Sequence, residues 1–274
     1  SHRRKNAQIA NKHRLQSIRG RFSPAWLTCA PLSTALKMTN MQFLCCVRRR
    51  LGLPMKYDGF DKHGHHDLAV SLGGQKNARH SNMIAAWRQV FIEAGGQVPD
   101  RNIEGLLRNT HVPIPAGDMR RMDLVVPGLN VANGLPLFCD VIIVSPITRS
   151  GKPRSGTSNT GGVLLIREDK KNNTNYHEIL SSGLGALYSL GFEVYGRWHQ
   201  SCIDLLEQLA RERCRGESTR IRPGNYYSCL YRWSGIIAIA LQRSIADVIL
   251  RSGGADLPVT LLEPVPSVSA MPIA

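Results

Sequence analysis

The sequence predicts an α/β domain with flanking helical parts toward both termini. Two apolar runs of strand length, Met122–Val126 and Leu137–Val144, flank a connector (128–134) with the Gly and Asn content of a hairpin loop. Apolar residues recur at helical spacing before and after this pair, and strands interspersed with helices read as α/β. A formal net charge of +15, from 35 Lys and Arg against 20 Asp and Glu, adds a strongly basic surface.

In chain order, residues 1–25 are basic and polar (Arg3, Arg4, Lys5, Lys12, Arg14, Arg19, Arg21) and read as an arm or a helix. A start without Met suggests a piece of a longer chain. Met41–Leu53 is an amphipathic helix with Phe43, Leu44, Val47 and Leu51 on one face, ended by Pro54. Its Arg48-Arg49-Arg50 run reads as a solvated face, with phosphate contact as the functional alternative. Residues 56–75 are loop-like, and Ser81–Ala94 is a helix closed by Gly95-Gly96. After the hairpin, residues 147–162 are rich in Gly, Ser, Thr and Pro and read as a mobile loop. Tyr176–Leu190 reads as a helix, Phe192–Tyr195 as a short strand, and Gln200–Arg213 and Tyr226–Leu250 as two further helices. The Pro-containing tail from residue 253 reads as disordered.

The charge and a pI near 9.9 point to a polyanionic partner, because each neutralised phosphate releases condensed counterions. A merely basic surface is the bland alternative. Seven cysteines without a CxxC pair argue against a disulfide framework or a thiolate zinc site, and fit reduced thiols inside a cell. No signal core is visible, and no run of about eighteen apolar residues suggests a membrane span. A Walker loop and a GxSxG elbow are both missing from the sequence.

Two consecutive predicted strands each carry one Asp inside an apolar run, Asp123 in Arg120-Arg121-Met122-Asp123-Leu124 and Asp140 in Phe138-Cys139-Asp140-Val141. Asp is poorly suited to a strand, and a buried carboxylate needs a partner or a metal. Two on adjacent hairpin strands can converge on Mg²⁺ or Mn²⁺, hard ions that prefer oxygen ligands, and activate water against a phosphodiester. Alternatively, one Asp caps a turn and the other pairs with Arg120 or Arg121. Glu104 is a third acid on a nearby segment. His63, His65, His66 and His80 invite a zinc site, but no Cys lies between 47 and 138 to complete a closed one. Arg79-His80 reads as a phosphate contact or a helix cap. Arg197-Trp198-His199 and Tyr231-Arg232-Trp233 interleave basic and aromatic residues; core packing of both tryptophans is the simpler reading, base stacking the functional one.

Together these elements resemble the region downstream of reverse transcriptase in non-LTR retrotransposon polyproteins, over roughly residues 22–250. The stretch Trp26-Leu27-Thr28, Pro31, Phe43 and Arg48-Arg49-Arg50-Leu51-Gly52-Leu53-Pro54 is similar to the family's. So are Asp61-x-x-Gly64-x-His66, Gly73-Gly74 and Arg79-His80, which resemble its knuckle-like segment. The following block, Glu104, Arg120-Arg121-Met122-Asp123 and Asp140-Val141-Ile142-Ile143-Val144-Ser145-Pro146, resembles its restriction-like endonuclease of PD-(D/E)XK type. Later matches are Lys171 with Tyr176, Gly191–Gly196, and Trp233 with Ala240–Ala246.

The resemblance implies a DNA endonuclease core with Asp123 and Asp140 as metal ligands and catalytic acids, alongside Glu104 and Lys171. It implies a partner in the upstream polymerase, DNA and also RNA as polyanions, and a nuclear location. Arg79, His80, Arg120, Arg121, Lys152 and Arg197 are the candidate nucleic-acid contacts. The implied organisation is a basic connector (1–56), a degenerate knuckle-like segment (57–80), an endonuclease core (81–200), C-terminal helices (201–252) and a disordered tail (253–274). Tyr57 and Val70 stand where knuckle cysteines are expected, so zinc is not expected. Met122 replaces Pro, Ser81 stands for Asn, and Ile142 stands where a Lys is expected, with Lys171 as its substitute. A catalytically silent nucleic-acid-binding module, and a structural adaptor beside the polymerase, are the competing readings.

Overall fold

The computed structural model describes residues 11–31, 33–55, 63–69, 75–99, 116–117, 119–148, 150, 152–157, 162–170 and 174–252. Helix α1 spans 11–18, α2 Ala25–Thr28, α3 Asn40–Leu51, α4 His65–Ala69 and α5 Gln75–Glu93. Strands β1 (Leu124–Val126) and β2 (Leu137–Val144) precede α6 (Gly162–Lys170) and α7 (His177–Ser182). Strand β3 (Ala186–Glu193) is followed by α8 (Gln200–Arg213) and α9 (Arg222–Ser252). The three strands form one mixed sheet in the order β1-β2-β3, with β2 antiparallel to β1 and parallel to β3.

Local chemistry explains most of these elements. Helix α3 opens on a capping box: Thr39 accepts from the Gln42 amide at 3.2 Å, and the Gln42 side chain accepts from the Thr39 amide at 2.8 Å. Gly52 closes it, not Pro54. Arg48 and Arg49 are buried rather than solvated. Arg48 donates to the Pro54 carbonyl, and Arg49 donates to the Val194 carbonyl while lying over the Tyr195 ring. Helix α5 begins six residues before the Ser81 expected from the pattern, so Arg79 and His80 lie within it and cap nothing. Met83, Trp87, Val90 and Phe91 form its buried stripe.

The β1–β2 hairpin follows the sequence reading closely, with Asp123 in a bend just before the first strand. Strand β2 is buried along nearly its whole length, as a central strand covered on both faces must be. Leu124, Val126, Leu137, Cys139 and Val141 join the main core, whereas Val125 and Phe138 pack with Met122, Tyr176 and Ile179 on the opposite face. The described residues between 145 and 157 fold back through the Ile147–Pro153 bridge and hydrogen bonds from Arg154 Nε to the Ser145 carbonyl (3.0 Å) and Thr157 Oγ1 to the Pro146 carbonyl (3.1 Å).

The predicted helix 176–190 is corrected to a six-residue helix and a strand. Gly183 takes a left-handed conformation (φ 67°) that ends α7, and Ala186–Glu193 then pairs in register with Leu137–Val144. The two helices after it were legible; α8 matches its predicted span, and α9 is extended at both ends.

The long helix α9 packs against α2, α3, α5 and α8 and unites their apolar faces in one cluster. Arg222–Arg251 is long and apolar enough to cross a membrane by length and composition, but 78% of its most apolar window is buried inside the molecule. Trp233 and Trp198, 2% and 4% exposed, are core residues.

At the end of α5, Glu93 accepts from Arg232 Nε (2.8 Å) and Nη2 (2.6 Å) and from Trp233 Nε1 (2.8 Å). Burial raises its pKa, but hydrogen bonds from Arg232, Gln89 and Trp233 outweigh that and hold it below the ordinary carboxylate range. A carboxyl depressed on folding contributes stability above its unfolded pKa, and this is lost as pH falls through the folded value. Glu93→Gln is expected to cost about 1–2 kcal/mol at pH 7. In urea titrations the gap from wild type should close below about pH 4.

Candidate active site and cationic cleft

The hairpin register sets Leu124 against Cys139; continued one residue, into the bend that carries Asp123, it points to Asp140. Side chains alternate along a strand, so Asp140 shares the Phe138 face, where α7 delivers Tyr176. Asp140 is 3% exposed, and its Oδ1 accepts from the Tyr176 hydroxyl at 3.0 Å. Burial, and then the Asp140 charge, push the Tyr176 phenol well above its usual range, so it stays a donor. Tyr176→Phe leaves Asp140 short of this donor and is expected to cost about 1–3 kcal/mol, measurable by urea unfolding.

Asp123 is held from the other side. Its Oδ2 accepts from the Val141 amide at 2.7 Å and lies 3.1 Å from His80 Nε2, which is also 3.1 Å from the Val141 carbonyl. The hydrogen bond to Asp123 raises the His80 pKa, against the downward pull of burial; the Asp123 charge, the Val141 carbonyl and the Asp140 charge add to the rise. Both carboxylates therefore act on one imidazole and one phenol, and α5, the hairpin and α7 meet here.

Beyond His80 the site opens into a cleft of about 560 Å³. Val141–Val144 of β2 line its floor. Lys76 and Arg79 reach it from α5, Arg154 from the loop after β2, and Arg167 from α6. Among the described residues lining it there is no acidic side chain. Arg79 is 8% exposed, and its Nε has no hydrogen-bond partner among the described residues. Burial lowers its pKa to about 10, with the neighbouring Arg49 charge adding to the effect. A buried guanidinium beside a second one favours an anion.

The remaining sequence candidates are placed differently. Arg120 pairs with Glu178 of α7 and donates to the Asn175 carbonyl. Arg121 is exposed, and its carbonyl accepts from the Tyr176 hydroxyl at 3.4 Å. Arg197 turns inward to Glu193, 3.4 Å away. Lys152 is exposed in the loop, with its backbone bonded to Thr148. His65 bonds the Tyr195 hydroxyl at 3.0 Å and stacks near His63. Glu104, Lys171 and the His66 side chain lie outside the described residues.

Tyr176 as the Asp140 donor, and Lys76, Arg154 and Arg167 as cleft cations, were not singled out by the sequence reading. The tyrosine had only its place in the family pattern as a signal, and the three cations had none beyond the general basic charge. Among the described residues no group of three or more His, Cys, Asp or Glu could hold a metal ion. Two carboxylates nonetheless suit Mg²⁺, which is commonly bound by one or two carboxylates and completes its shell with water and substrate phosphate. They do not suit a closed zinc site. No protein-family profile matches the chain, and a search of curated proteins finds no relative.

Proposed function

We propose that this chain is a Mg²⁺-dependent DNA endonuclease domain with a PD-(D/E)XK-like core, of the kind that nicks target DNA for a retroelement polymerase. One observation carries the reading: the β1–β2 hairpin brings Asp123 onto the Val141 amide beside Asp140, and His80, 3.1 Å from Asp123, lines a cleft whose described lining residues are neutral or cationic. The mixed sheet, an antiparallel hairpin with a parallel third strand, is compatible with such a core.

Asp123 and Asp140 would hold the ion, which when bound supplies an activated water and neutralises charge on the scissile phosphate. The chain's own residues do the rest. Tyr176 fixes the Asp140 carboxylate, the Val141 amide fixes Asp123, and His80 is close enough to Asp123 to shuttle or hold a proton at Oδ2. Arg79, Lys76, Arg154 and Arg167 neutralise the phosphates on the cleft side.

A second reading, a binding module without cleavage, is favoured by one observation. Ile142, which stands where the resemblance would place a helper lysine, lines the cleft floor without a charge. Incubating the purified chain with supercoiled plasmid and Mg²⁺ separates the two. Nicking abolished by EDTA and by Asp140→Asn supports the nuclease, while a gel shift without nicking supports the module.

A further inference from the structure

We propose that the cationic cleft is a track for the backbone of a single nucleic-acid strand, leading to the Asp123–Asp140 pair. This rests on the phosphodiester reading of that pair. The cleft matches a phosphate backbone in charge. Arg79 and Lys76 stand on one wall, and Arg154 and Arg167 come from the loop and α6. No acidic side chain among the described lining residues balances them. Arg79 lines the cleft while only 8% exposed, so water screens its charge little there. A phosphate oxygen is an acceptor of matching charge.

Size makes the second argument. A volume of about 560 Å³ lies within the range that encloses one small ligand, about 300–1,000 Å³. It suits a short stretch of one strand and not the cross-section of a duplex, whose major groove alone is about 12 Å wide. Val141–Val144 of β2 line the floor, with Asn77, Ser145 and Asn175 as neutral hydrogen-bonding groups. No Phe, Tyr or Trp among the described residues lines the cleft, and the His80 ring that does is held by Asp123 and the Val141 carbonyl. The track reads charge and shape, and binding along it is independent of sequence.

The test is fluorescence anisotropy in EDTA, with a labelled twelve-residue oligo-dT and a duplex of the same length. Wild type is compared with Lys76→Ala/Arg167→Ala, two exposed residues whose loss spares the fold. Each phosphate contact on a single strand contributes about 0.7 to the slope of log K against log salt. Removing two should flatten the slope by about 1.4. Between 50 and 200 mM salt, wild-type affinity should then fall about sevenfold more than the variant's. The oligo-dT should also bind more tightly than the duplex.

Equal salt slopes for the two proteins would overturn the proposal. So would a duplex that binds more tightly and is the only ligand affected by the substitution. Because binding is read without metal, the two ideas fail separately. Plasmid nicking absent with these slopes intact removes the cleavage reading alone. Nicking intact with slopes indifferent to Lys76 and Arg167 removes the strand track alone.

Discussion

Asp140→Asn is expected to abolish Mg²⁺-dependent nicking, by a factor on the order of 10²–10³, while leaving the fold as stable as wild type or more so. The two halves of this result have one origin. The Asp140 carboxylate is almost fully buried, next to Val141, whose amide holds a second carboxylate, Asp123. Its charge is costly there, and amide replacement lightens that cost. The amide oxygen can still accept from the Tyr176 hydroxyl, so Phe138, Tyr176 and Ile179 have no reason to repack. What the amide lacks is the negative charge that holds a hard cation. Losing about 3–4 kcal/mol of transition-state stabilisation corresponds to the stated drop in rate. Nicking rates on supercoiled plasmid, read beside urea unfolding, check both halves. A variant that loses activity because it unfolds would make Asp140 a structural residue and sink the assignment.

The hairpin that carries both acids was legible because its signals are local: apolar runs of strand length, and a Gly/Asn-rich loop between them. Helix α8 was legible for the same reason, through its 3.6-residue period. Strand β3 was not. Ala186-Leu-Tyr-Ser-Leu-Gly-Phe-Glu193 has no strong local preference, and its extended state comes from pairing with β2 across a long connection. A window on the sequence sees only the apolar residues that α7 and β3 share, and merges them into one helix. Arg48 and Arg49 escaped for a related reason, since an arginine run is usually solvated. Here Arg49 is buried between the Val194 carbonyl and the Tyr195 ring.

The candidate site divides along the same line. Asp123 and Asp140 stood out as acids in apolar strands, whereas the cleft draws Lys76, Arg79, Arg154 and Arg167 from α5, a loop and α6. Only the packed fold brings those three segments together. Tyr176 and the His80–Asp123 contact are likewise products of packing. No spacing rule links residues 80, 123, 140 and 176.

Arg197→Ala is expected to be the most damaging single substitution of an ionic group, costing about 3–5 kcal/mol at neutral pH. The sequence reading offered Arg197 as a nucleic-acid contact, but the structure sets its guanidinium against Glu193, which is fully buried at the end of β3. The first turn of α6 closes over the pair so tightly that a side chain at Gly162 would collide with both. Burial raises the Glu193 pKa; the Arg197 charge, the Ser17 hydroxyl and the Val163 amide act the other way. Removing Arg197 takes away the largest of these opposing groups and leaves a buried charge without its counterion.

The sign of the pH dependence follows from that. A carboxyl whose folded pKa is raised contributes stability that is fully present below its unfolded value and is lost as pH rises through the folded one. The variant should therefore approach wild type near pH 4–5 and fall furthest behind above pH 7. Urea titrations at the two ends of this range measure the difference. If Arg197 instead met phosphate, the substitution would leave stability unchanged at every pH and flatten only the salt dependence of binding. A destabilisation that acid relieves makes Arg197 a support for α6, and so for the Arg167 that α6 carries into the cleft.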